Sequence, residues 1–391
     1  MVTITEALRL IDNEISTLNE ETVEITSATK RVLSQHILAP INLPPFDQSA
    51  MDGYAINFKT QYDSFNIVGE IQAGSPQDYS LEPGQGVRIF TGAKVPESAN
   101  VVIMQEDVTV FDKRITLTKK PNLGQHIRKT GEQIKTNEIA LKKDTMLSPS
   151  AIGFICSLGL TEVMVYAQPK IEIIATGSEL VLPGNKLAPG QIYQSNSFML
   201  KSAVEFYQLG HTQIQCVEDS LEKTTEAIKI ALDNVDFVLI SGGISVGEYD
   251  YVERALKQLG VQGIFHKVRQ KPGNPLYFGK LKNKKYVFAL PGNPSAAMTS
   301  FLIYVLPALR KAAGFGFEGL KKIQMPIDQD YSKTDDRAHL LKSKIINNKI
   351  HILGGQNSDI LNSFTDADSL ALISEANALT KNNELIDAYL L

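Results

Sequence analysis

The 391-residue sequence has no block of basic residues, only two cysteines, and no long apolar run. The first lack excludes a protein that grips a phosphate backbone, because nucleic-acid affinity rests on clustered Lys and Arg. The formal net charge is −4. Cys156 and Cys216 stand far apart in separate apolar contexts with no metal-ligand spacing. They predict two buried thiols in a reducing compartment. "FLIYVLPAL" is too short to cross a membrane and contains Pro307. The N-terminus lacks the basic start and apolar block of a signal peptide. These absences point to a cytoplasmic protein with neither membrane nor nucleic acid as partner. No internal repeat or low-complexity segment is present, and the length suits two to four domains.

What is present changes texture along the chain. Residues 1–39 are expected to be helical. Ile4, Leu8, Ile11 and Ile15 recur at helical spacing, and Thr3 with Glu6 forms a capping box. Pro44 and Pro45 then force extended backbone. From 54 to 139 short β runs are broken by Gly and Pro, which predicts a β-rich lobe. "SPSAIGFICSLGL" reads as a helix with Ser148 before Pro149 at its first position. Residues 168–317 alternate strand and helix, the pattern of a parallel, doubly wound sheet. In that segment the helix after "KIEIIAT" is expected to end at Gly210, and a hairpin to turn at Asn283–Lys284. Residues 318–391 return to short β runs. The expected fold is therefore multidomain α/β and β. Residues 1–53 and 140–167 form a helical and extended linking domain, 54–139 the β-rich lobe, 168–317 the α/β domain and 318–391 a small β domain.

Ligands of an open parallel sheet bind outside the carboxyl ends of its strands. This sequence places "TGSEL", "EDS", "SGGISVGEYD" and "LPGNPS" there, so each strand end is acidic or rich in Gly and Pro. Gly242, Gly243 and Gly247 let backbone approach a ligand and offer N–H groups to anionic oxygens. Singly, each feature has a plainer explanation. "SGG" is a tight turn, Glu248 and Asp250 are dipole partners of the next helix, and Glu179 and Asp219 are solvated loop residues. Together they say more. Glu179, Asp219 and Asp250 come from three strand ends that must share one edge, and converging carboxylates repel unless a cation sits between them. Hard oxygen ligands without Cys or His select Mg²⁺, which shares its shell with substrate phosphates. The expected ligand is a Mg²⁺-bound nucleotide or pyrophosphate, with Lys271 as an oxyanion partner.

"PPFDQSAMDGYA", "RIFTGAKVPESANVVIMQED", "IIATGSEL", "SGGISVGEYDYV", "KPGNP" and "ALPGNPSAAM", in that order across most of the chain, resemble the molybdopterin molybdenumtransferase family, the bacterial molybdenum insertases. The resemblance implies a molybdopterin-binding α/β domain, a C-terminal β-barrel-like domain and an elongated homodimer with its active site between subunits. It implies insertion of molybdate into adenylylated molybdopterin with Mg²⁺-dependent release of AMP, and it brings in a molybdopterin adenylyltransferase and apo-molybdoenzymes as partners. By motif, Asp52, Thr91, Glu179, Asp219 and Asp250 carry over as catalytic positions, the last three also as metal ligands. Ser241, Gly242, Gly243, Lys271, Asn274, Pro291, Gly292, Asn293, Pro294 and Ser295 carry over as substrate-binding. Lys271, Arg337 and Ser358 correspond to the molybdate positions.

Two departures matter. Asn274 stands where the family often has a second lysine, which removes a cation while keeping a hydrogen-bond donor. "PGNPSAA" replaces the commoner "PGNPVSA", so that any hydroxyl role there either falls to Ser295 or is lost. Three other readings use the same α/β domain: the molybdopterin adenylyltransferase, which would need neither the β lobe nor the tail; a nucleotide-sugar or ADP-ribose pyrophosphatase; and a non-enzymatic scaffold. A dinucleotide dehydrogenase fails because no G-x-G-x-x-G follows the first strand.

Overall fold

The computed structural model describes residues 1–244 and 251–391. The chain forms two compact units, one of Met1–Thr22, Lys30–Ser34 and Met164–Leu391, the other of Val23–Thr29 and Gln35–Val163.

The first unit begins with helix α1 (Ile4–Glu14), where Thr3 caps Glu6 N–H and the Glu6 carboxylate answers Thr3 N–H at 2.9 Å. The helix stops there, and Glu20–Glu24 is already a strand. The expected helix to residue 39 is not formed. Thr22, Val23, Ile25 and Thr26 are β-branched, and their stiff χ1 angles favour extended backbone over helix.

A six-stranded sheet follows. Its strands are β1 (Lys170–Thr176), β2 (His211–Val217), β3 (Phe237–Ser241), β4 (Gln262–Lys267), β5 (Pro275–Leu281) and β6 (Lys285–Leu290), in the spatial order β2-β1-β3-β6-β5-β4. The first four strands in that order run parallel, whereas β5 and β4 pair antiparallel on one side. The sheet is thus mixed, because the β5–β6 hairpin turns at Asn283 and Lys284, both with positive φ, and reverses direction. Both faces are covered. Phe237 and Leu239 point to one face, against Leu200, Val204, Phe301 and Leu309. Val238 and Ile240 point to the other, against Ile228, Leu232, Val252 and Leu256. Burial on both sides explains why β3 reads as an unbroken apolar run.

The covering helices are α2 (Asn196–Tyr207), α3 (Leu221–Asn234), α4 (Tyr251–Gln258), and α5 (Pro294–Ser300), which continues through a π turn (Phe301–Val305) into α6 (Leu306–Ala312). Helix α2 ends before Gly210, because Gln208 takes the left-handed cap position. A second six-stranded sheet is formed by the C-terminal residues and centred on β7 (Ala338–Ile346). Its edge strand is Gln270–Lys271, which pairs parallel with Ala338 and His339.

The second unit holds a six-stranded sheet ordered Val101–Met104, Gly53–Ile56, Gln85–Ile89, Ser64–Ile71, Arg114–Leu117, Val108–Phe111, over a core that includes Ile56, Phe65, Val87 and Ile103. The helix Pro149–Ser157 is capped by Ser148 as expected. Cys156 and Cys216 are both exposed rather than buried. Cys156 lies off the helix face that buries Ala151 and Ile155, and Cys216 lies on the edge strand β2.

Candidate active site in the first unit

Strand register assembles the site. Thr176 pairs with Val217, Ala175 with Ser241, and Ser241 with Leu290, so four strands end level and their loops share one rim. These loops line a cavity of about 720 Å³. Glu179, Asp219, Ser241, Gly242, Gly243, Pro291, Gly292, Asn293, Pro294 and Ser358 all line it, as do Gly273 and Pro275 of the "KPGNP" loop.

Close packing of the loops accounts for the glycines. Gly242 has φ +97° and Gly243 φ +62°, backbone that side chains avoid. A Cβ on Gly242 would lie 2.6 Å from the Thr176 carbonyl oxygen, and one on Gly243 2.9 Å from Thr176 Oγ1. The β1 loop is equally tight, since a Cβ on Gly177 would lie 2.7 Å from a Glu179 carboxylate oxygen. The β2 loop is tied to it where Asp219 N–H donates to Ser178 Oγ at 3.3 Å. Glu179 and Asp219 are exposed oxygen donors on one cavity wall, a donor set that fits a hard cation such as Mg²⁺. The third expected ligand, Asp250, lies outside the described residues, together with Gly247 and Glu248. Among the described residues no group of three or more His, Cys, Asp or Glu could hold a metal ion.

The structure adds residues that motif reasoning missed. Asn196, at the start of α2, donates from Nδ2 to Ser241 Oγ at 2.8 Å and to the Gly292 carbonyl at 2.7 Å. It thereby clamps the "SGG" and "PGNP" loops together. Its signal was an Asn at a helix start, indistinguishable in sequence from a cap. Asn196→Ala is expected to cost about 1–2 kcal/mol of stability through these two bonds, read by urea denaturation. It is also expected to raise the KM for the cavity's ligand.

The helix start after "PGNP" is closed by the C-terminal loop. The Ser358 carbonyl accepts from Ser295 N–H at 3.0 Å and Ala296 N–H at 3.4 Å, and Asn293 Nδ2 donates to Ser358 Oγ at 2.6 Å. Those two amides are therefore committed inside the protein. Ser295 itself is fully buried behind the lining.

Lys271, Asn274 and Arg337 are not among the lining residues. Lys271 is exposed on the edge strand and is registered with His339, two residues past Arg337. Asp335 holds Arg337 through Nη2 at 2.6 Å and His339 through Nε2 at 2.9 Å. A carboxylate only accepts here, so Nε2 carries the proton and Nδ1 accepts from Tyr331 O–H at 2.9 Å. The neutral ring is thus fully satisfied. Burial lowers the His339 pKa, against Asp335, which raises it. Burial acts to raise Asp335, but its bonds from Arg337 and His339 prevail and hold it well below the usual carboxylate range.

The sign for His339 follows from linkage. Its folded pKa lies below the unfolded one, so the unfolded chain takes up its proton first. Stability should fall as pH drops below the ordinary histidine value of 6.5. In His339→Gln that component of the pH dependence should vanish, as measured by thermal melts between neutral and mildly acidic pH.

In the second unit, Asp52 and Thr91 meet. Asp52 Oδ1 accepts from both the N–H and the hydroxyl of Thr91 at 2.8 Å. These bonds lower the exposed Asp52 carboxyl below its ordinary value and fix its direction.

The chain is similar to known proteins over most of its length. Residues 2–159 match the MoeA N-terminal region (domain I and II), and residues 172–311 match a probable molybdopterin binding domain. The molybdopterin molybdenumtransferase of Haemophilus influenzae is 37% identical over 297 residues, which cover 75% of this chain and 73% of that protein. That of Staphylococcus epidermidis is 30% identical over 387 residues, covering 97% and 90%. The crystal structure of a molybdopterin biosynthesis moeA protein from Pyrococcus horikosii superposes with a TM-score of 0.86 at 28% identity, over 100% of this chain and 99% of that one. The chain belongs to the molybdopterin molybdenumtransferase family.

Proposed function

We propose that the protein is a molybdenum insertase that releases AMP as it transfers molybdate to adenylylated molybdopterin, with Mg²⁺ held by Glu179 and Asp219. The observation that carries this reading is the level ending of four strands around one cavity lined by those two carboxylates and by glycine loops. Family membership supports the transferase activity in molybdenum cofactor biosynthesis.

The residues divide the work by their chemistry. Gly242, Gly243 and Gly292 let a diphosphate lie against bare backbone. Asn196 holds two of these loops at fixed separation. Bound Mg²⁺ would neutralise phosphate charge and polarise the phosphoryl group. Lys271, with Arg337 and Ser358, would orient molybdate, a dianion, and the proximity so gained lowers the barrier to oxo-for-sulfur exchange. Asp52 and Thr91 supply a fixed carboxylate on the second unit. The same reading takes the active assembly to be a homodimer in the cytoplasm, with a molybdopterin adenylyltransferase upstream and apo-molybdoenzymes downstream. It takes segments 1–53 with 140–167, 54–139, 168–317 and 318–391 as the functional domains.

Reconstitution tests the reading. Purified protein with adenylylated molybdopterin, molybdate and Mg²⁺ should release AMP and yield a product that activates an apo-molybdoenzyme. Adenylylation of molybdopterin from ATP would instead identify an adenylyltransferase. Asn274→Lys should lower the molybdate concentration needed for half-maximal activity by about threefold to tenfold, the range of one partly screened charge. An unchanged molybdate dependence would remove Asn274 from the oxyanion pocket.

A further inference from the structure

Beneath the "KPGNP" loop lies a buried polar pair that the catalytic reading does not use. Gln270 and Tyr304 are both 0% exposed. Gln270 Nε2 donates to the carbonyls of Pro272 at 3.0 Å and Gly273 at 3.2 Å. Those partners only accept, so the amide orientation is fixed, and Gln270 Oε1 takes the hydroxyl hydrogen of Tyr304. Tyr304 projects from the π turn Phe301–Val305, a local widening that often accompanies a functional constraint. The loop is seated closely on this pair. Gly273 has φ +81°, and a Cβ there would lie 3.1 Å from Gln270 Nε2 and 2.9 Å from Ser300 Oγ.

The chemistry gives the arrangement a purpose. Pro272 has no N–H, so the loop's carbonyl oxygens strongly influence its electrostatic character. A carbonyl oxygen turned toward an approaching oxyanion repels it. Gln270 draws two such oxygens into the protein, while Lys271 at the start of the loop stays exposed and Gly273 and Pro275 face the cavity. We propose that Gln270, braced by Tyr304, is a positioning residue that makes this loop receptive to molybdate by sequestering the carbonyls of Pro272 and Gly273. The proposal rests on the reading of Lys271 as a molybdate ligand.

The test measures steady-state AMP release while molybdate and adenylylated molybdopterin are varied separately, in Gln270→Met, Tyr304→Phe and Lys271→Ala. Gln270→Met keeps the volume and removes the donors. It should raise the molybdate concentration for half-maximal rate about tenfold, with excess molybdate restoring kcat and the KM for the pterin substrate held within about twofold. Tyr304→Phe removes one brace and should raise the same quantity by about threefold. A purely structural role would instead lower the thermal midpoint and leave the molybdate dependence unmoved, which overturns the proposal. Should Gln270→Met fail to fold, an unmoved molybdate dependence in Tyr304→Phe overturns it equally. The Lys271→Ala arm separates the two ideas. If it raises the molybdate requirement and neither Gln270→Met nor Tyr304→Phe does, the positioning role alone falls. If Lys271→Ala changes nothing, the molybdate assignment of the loop falls, and the proposal with it.

Discussion

Replacing Glu179 by Gln and Asp219 by Asn together should slow AMP release by on the order of 10²–10³-fold, the effect of removing preorganised charge from a reacting phosphoryl group. Both side chains are exposed on loops and line the same cavity, so neither change leaves a buried group unsatisfied. The thermal midpoint should therefore stay within a few degrees of wild type. Single-turnover AMP release at saturating substrate is the direct readout. The two single variants should each lose most of the activity, and their effects should fall well short of multiplying, because residues that act as a unit are not additive. Wild-type AMP release in the double variant would remove both carboxylates from the mechanism.

Gly242→Ala should be the most damaging single methyl group in the cavity wall. Its Cβ would come within 2.6 Å of the Thr176 carbonyl oxygen at a φ of +97°. Backbone strain of this kind costs about 1–3 kcal/mol, and the clash with a rigid strand end adds to it, for a total of about 2–4 kcal/mol. Gly292→Ala provides the contrast. There the nearest atom to a new Cβ is the Gly242 Cα at 3.7 Å, an ordinary contact. That variant should keep its stability within about 0.5 kcal/mol, while its methyl group enters the space a diphosphate would occupy. Urea denaturation of the pair checks the difference. Equal stability in both would show that the Gly242 loop relaxes freely.

Much of the rim was legible in the sequence because strand–helix alternation fixes which loops meet. "TGSEL", "EDS", "SGG" and "PGNP" follow apolar runs whose ends must lie level in a parallel sheet. The structure brings Glu179, Asp219, Gly242 and Pro291 to one cavity. The clamps between loops were not legible. Asn196 and Gln270 act on partners far away in the chain or through backbone carbonyls that any residue carries. No residue pattern marks such bonds. The helix expected through residue 39 failed for a different reason. The apolar spacing that starts α1 ends at Ile15, and the β-branched residues beyond it follow strand preferences. Cys216 was misjudged because hydrophobic neighbours do not reveal an edge strand, and only the sheet order places it at the border.

The sharpest test of the central claim is to locate a bound divalent ion. In crystals grown with a non-hydrolysable adenylylated pterin analogue and Mn²⁺, the anomalous signal of the metal should appear beside the carboxylates of Glu179 and Asp219, next to the diphosphate. A metal–nucleotide complex seated in the second unit, or a diphosphate in the strand-end cavity with both carboxylates turned away from it, would contradict the account.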